Sequence, residues 1–78
     1  MQVNYQDTFL NTIRKDNIPI TIFLTSGFQI RCILRAFDTY VLIVDVDGKQ
    51  QMIFKHAVST IAPVKTVIRI PITPEKEE

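Results

Sequence analysis

The side chains in this sequence that could do chemistry are few. One histidine, His56, follows Lys55, and the one cysteine, Cys32, lies in a separate segment. An ammonium beside an imidazole can neutralise a phosphate and donate to a base or a ribose hydroxyl, and Tyr40 offers a ring on which a base can stack. Phe23 and Phe28 flank a turn at Gly27, offering two more stacking surfaces and room for close backbone approach, and Gln51 can present both a donor and an acceptor. Catalysis fits less well, because a reaction centre needs convergent titratable groups and His56 has no recognisable nucleophile or carboxylate partner in sequence. The Cys and the His show no metal-ligand spacing, and there is no Gly-rich phosphate loop. Taken alone, a Lys-His pair after a strand is ordinary surface, and Tyr40 or a Phe beside a glycine turn is ordinary packing.

The elements that position these residues are legible from hydrophobic period and turn chemistry. Asp7 to Asn17 predicts a short helix with Asp7 or Thr8 as N-cap and Phe9, Leu10 and Ile13 on one face. Arg14 and Lys15 fall in its last turn, where the helix dipole favours cations, and Asn17 followed by Ile18-Pro19 ends it. From Ile20 the pattern becomes strand-like, with strands predicted over Ile20 to Leu24, Phe28 to Phe37, Tyr40 to Val46, Lys49 to Lys55 and Val58 to Ala62. Thr25-Ser26-Gly27, Asp38-Thr39 and Asp47-Gly48 are the turns between the first four, the last a strong hairpin signal. Asp38 reads as a turn-forming residue rather than an acid catalyst. A helix followed by short antiparallel strands implies a mainly β fold, a bent sheet or open barrel with two edges. Met52-Ile53-Phe54 and Val58 to Ile61, the candidate edges, are apolar and without proline, so copies of the chain could pair edge to edge into a ring.

Size supports association. A chain of 78 residues buries only roughly 60 to 65% of its unfolded surface, and a single cysteine excludes an internal disulfide as reinforcement. The formal charge is +1, but Glu75, Glu77 and Glu78 crowd the last four residues; up to Ile72 there are eight Lys or Arg against five Asp, a balance of +3 that assembly would multiply. Residues 1–66 are expected to form one domain and 67–78 a tail, largely disordered beyond Ile72, where Pro71 and Pro74 oppose a further strand. No apolar run approaches a membrane span and no signal-peptide pattern opens the chain, so a cytoplasmic location without membrane contact is expected.

Several segments in order, Gln6-Asp7-x-Phe9-Leu10-Asn11, Leu24-x-x-Gly27, Phe37-Asp38 and Phe54-Lys55-His56-Ala57-x-Ser59-Thr60, resemble the bacterial Sm-like RNA chaperone family, Hfq. The resemblance covers about Gln6 to Pro63, and its most specific string is Lys-His-Ala-x-Ser-Thr. It implies a hexameric ring of bent five-stranded sheets, each with an N-terminal helix, joined through the fourth and fifth strands. It also implies a non-enzymatic RNA chaperone without cofactor or metal, acting in post-transcriptional regulation and stress response. The implied partners are small regulatory RNA, mRNA and ribonucleases. Site residues follow by register. Gln6, Thr39, Tyr40, Lys55 and His56 are expected at a pore-side site for U-rich RNA. Phe23, Leu24, Gly27, Phe28, Gln29, Ile30, Gln51 and Thr60 are expected on the opposite face for A-rich RNA, and Asn11, Arg14 and Lys15 on the rim. The chain departs from the family's usual pattern at Cys32, where Gly is common, and at Thr39, where Gln or Asn is common, while Arg31 and Arg35 add charge along the second strand. The alternative from another class is an SH3-like module that binds peptides on its aromatic surface, which would be a monomer.

Overall fold

A computed structural model describes residues 4–68. The tail expected beyond Ile72 lies outside them. Helix α1 spans Tyr5–Lys15 and is followed by β1 (Pro19–Leu24), β2 (Gln29–Phe37), β3 (Val41–Val46), β4 (Lys49–Phe54), a single 3-10 turn (Lys55–Ala57) and β5 (Val58–Pro63). The helix begins earlier than its capping residues predicted. Asn4, not Asp7 or Thr8, is the N-cap, with its Oδ1 accepting from the Asp7 N–H at 3.1 Å. Asp7 instead sits in the first turn, where a carboxylate favours the dipole. At the other end Asn17 takes φ 51°, Ile18 N–H donates to Ile13 O at 3.1 Å and Asn17 N–H to Arg14 O at 3.3 Å. This left-handed cap joins two buried residues, Ile13 and Ile18, across the helix end.

All five strands form one antiparallel sheet in the order β4-β3-β2-β1-β5, so β4 and β5 are its edges, as their composition predicted. Asp47 (φ 51°) and Gly48 (φ 82°) make a two-residue turn between Val46 and Lys49, with both residues in the left-handed region that matches the twist of a hairpin. Alternation sends Ile20, Ile22, Cys32, Leu34, Leu42, Val44 and Ile53 to one face, where Leu10, Ile13 and Ile18 complete the core. Two irregularities interrupt the ladders. Arg35 is an extra residue in β2 opposite β3, and Ser59 is one in β5 opposite β1. Bulges bend and twist a strand, so the departure from a flat sheet is assignable to these positions. Cys32 itself pairs regularly with Ile20 and is buried, packing as a small apolar group. Among the described residues no helix is long and apolar enough to cross a membrane.

Candidate nucleic-acid interface

The pore-side candidates are assembled by the two connections that flank β3. Asp38 Oδ1 accepts from the backbone N–H groups of Tyr40 at 2.8 Å and Val41 at 2.9 Å, and its own N–H donates to Val41 O at 3.0 Å. The Tyr40 and Val41 N–H groups hold this carboxyl below the usual carboxylate range, with a smaller contribution from the Lys55 charge. Asp38 is thus the turn-forming residue expected. It leaves Tyr40 just ahead of β3, not inside it, and 75% exposed. The Lys55 N–H donates to Tyr40 O at 2.8 Å, which fixes the start of the 3-10 turn beside that ring.

Lys55 is half-buried, with Nζ 5.5 Å from the centre of the Phe37 ring, within reach of a cation–π attraction. His56 is exposed and stacks on Phe54, the ring centres 5.9 Å apart and the planes inclined by 26°. Gln6, Thr39 and Lys55 line one polar recess of about 450 Å³, together with Asn4, Asp7 and Asn11. Of the five pore-side candidates, the structure brings Gln6, Thr39 and Lys55 around one recess, while Tyr40 and His56 adjoin Thr39 and Lys55 along the chain without lining it. Phe37 and Phe54 were not among the expected site residues, although both belong to the motif segments; their part is to support the lysine and the histidine.

The opposite-face candidates are brought together less completely. Thr60, Phe23 and Gln29 are register partners across β5, β1 and β2 and form one row on the sheet face turned away from the core. Phe28 lies in the turn between β1 and β2 and is 74% exposed. Gly27 has φ 102°, and its N–H closes the turn to Leu24 O at 2.9 Å; nothing lies within 4 Å of the position a Cβ would take. Its glycine is explained by the left-handed backbone, not by crowding within the subunit. Leu24 and Ile30 are half-buried against the core. Gln51 stands apart on β4, the other edge of the sheet, paired with Val44. On the rim, Arg14 Nη2 donates to Asn11 Oδ1 at 3.1 Å, and Lys15 is exposed in the last turn of the helix. Arg35 does not add a free cation: its Nε bonds Asp45 Oδ2 at 2.8 Å and its Nη1 bonds Asn17 Oδ1 at 3.1 Å.

Residues 5–68 match the family model described as Hfq protein. The chain belongs to the Hfq family. It is 53% identical over 66 residues to a protein of Syntrophomonas wolfei named RNA-binding protein Hfq, the match covering 85% of this chain and 80% of the relative. A protein of the same name from Alkaliphilus oremlandii is 62% identical over 61 residues, covering 78% of this chain and 76% of the relative. Among solved structures, a crystal structure of "the pleiotropic translational regulator, Hfq" superposes with a TM-score of 0.74 at 36% identity, over 76% of this chain and 98% of that one. The helix and unclosed five-stranded sheet described above are the fold of the Hfq family, as the motif segments implied.

Proposed function

We propose that this Hfq-family chain is an RNA chaperone subunit. Copies close into a homohexameric ring, hold U-rich single strands on the Lys55 face and A-rich single strands on the Phe28 face, and so bring a small regulatory RNA and an mRNA together. The observation that carries the reading is the convergence of Gln6, Thr39 and Lys55 on one recess beside the exposed Tyr40 ring. A donor-acceptor amide, an ammonium and a stacking surface are what an unpaired nucleotide requires, and none of them requires turnover. The relatives' own description as RNA-binding proteins agrees with this.

The ring supplies what one subunit lacks. Both sheet edges are open within a subunit, and β4 exposes Met52 and Phe54. Pairing β4 of one copy with β5 of the next is a heterologous contact that can close on itself. It also brings the β4 edge that carries Gln51 of one copy against the β5 edge that carries Thr60 of its neighbour. Ribonucleases and other proteins would act on the RNA that this ring holds.

The test combines native mass with titration of oligo-U and oligo-A at two salt concentrations. The wild type should be a hexamer whose affinity falls steeply with salt. Lys55→Ala should weaken oligo-U by roughly tenfold or more with little effect on oligo-A, and Phe28→Ala should weaken oligo-A by roughly tenfold with little effect on oligo-U. Equal losses of both ligands in both variants would refute the two-face assignment. A monomer with weak, salt-insensitive RNA binding would favour the peptide-binding module instead.

A further inference from the structure

Arg35 belongs to neither of the two faces, yet its bonds carry it to the end of the helix. It is the extra residue of the β2 bulge, where the alternation of the strand breaks. Its Nε donates to Asp45 Oδ2 at 2.8 Å and its Nη1 to Asn17 Oδ1 at 3.1 Å. Asn17 in turn donates its backbone N–H to Arg14 O at 3.3 Å, and Arg14 Nη2 donates to Asn11 Oδ1 at 3.1 Å. One chain of contacts therefore runs from Asn11 and Arg14 on the helix through Asn17 to Arg35 on the sheet. A guanidinium has five N–H donors. These bonds use two of them, and the side chain is 47% exposed. The partners that deny Arg35 the freedom of a mobile cation also fix the direction of its remaining donors, and a guanidinium held in one orientation suits the geometry of a phosphate. β2 is the central strand of the five, so edge pairing between copies does not reach it.

We propose that Arg35 extends the rim of Asn11, Arg14 and Lys15 onto the sheet, donating to a phosphate of an RNA that crosses the rim between the two faces. The proposal rests on the reading that the two faces hold two RNAs, and it adds a phosphate contact on the path between them. Asp45 limits the size of the effect. The Arg35–Asp45 pair carries no net charge, so Arg35 contributes a directed contact more than a general field.

The decisive measurement is the rate at which the full chain anneals two complementary RNA strands, one ending in oligo-U and the other carrying an oligo-A tract, followed by fluorescence at several salt concentrations. Arg35→Gln combined with Asp45→Asn exchanges the ion pair for two amides and leaves the net charge as it was. This double variant should anneal roughly threefold to tenfold more slowly and with a weaker salt dependence, while its affinities for oligo-U and oligo-A stay unchanged. Arg35→Lys keeps a cation in place and should retain most of the rate. A double variant that anneals like the wild type would overturn the contact, because Arg35 would then serve only to neutralise Asp45. Arg35→Lys as slow as the double variant, with the salt dependence unchanged in both, would also overturn it and leave Arg35 a brace for the helix end. Should the double variant fail to fold, Arg35→Gln alone decides the matter: its rate should fall at least as far, since Asp45 is left unpaired, and a wild-type rate would sink the idea. Failure of the two-face reading would show differently, as oligo-U and oligo-A affinities that do not respond to Lys55→Ala and Phe28→Ala.

Discussion

Asp38 need not touch a ligand to matter to the site. Its carboxylate takes two backbone N–H groups of the β2–β3 turn, and Tyr40 stands where it does because of them. Cys32 shows the opposite case, a reactive group made inert by its surroundings. Burial pushes its thiol up from 9.0 to about 11, because a thiolate at that position would lose its hydration. The folded state then favours the protonated thiol, so the stabilisation is complete below pH 9 and is lost as pH rises through about 11. Denaturation measured at pH 8 and pH 11 should show a loss on the order of 2 kcal/mol that Cys32→Ala lacks. A thiol reagent should label Cys32 only as the protein unfolds, and rapid labelling of the native protein would contradict its burial.

Elements were legible wherever local chemistry and tertiary packing agree. Asp47-Gly48 announced its hairpin because a two-residue turn needs positive φ at both positions, and Gly48 adopts 82° without strain. Gly48→Ala should therefore destabilise the fold by about 1 kcal/mol although open space surrounds the position, which urea denaturation would measure. The helix is capped by Asn4, ahead of Asp7 and Thr8; all three residue types can cap, and the local pattern does not choose among them. Strand ends shifted for similar reasons. Tyr40 and Lys55 look like strand residues by type, but the Asp38 turn and the 3-10 turn claim them.

For the whole molecule, the open edges decide the behaviour. In the proposed ring, the exposed Met52 and Phe54 on β4 mark the edge through which a subunit pairs with its own copy. Met52→Asp should yield folded monomers by native mass. Because many weak sites act together only when tethered, oligo-U affinity should fall roughly hundredfold although Met52 is no part of the Lys55 site. A variant that remains hexameric would show that the ring does not depend on this edge.

The amino-acid sequence by itself determined the helix, the five strands, the hairpin turns, the two unprotected edges and, through the string around Lys55 and His56, the family. These follow from period, from turn residues with special φ and from short motifs, all of which are local. Tertiary structure decided what local pattern cannot express. It brought Gln6, Thr39 and Lys55 to one recess from three separate segments, and it tied Arg35 to Asp45 and Asn17, so that its charge is not free. It parted Gln51 from Phe23 and Thr60 within the subunit. It also opened an apolar groove between α1 and the edge strand β5, against the wall that Lys55 shares with the recess. Each of these depends on strand order and helix placement, which long-range burial sets and no single segment encodes.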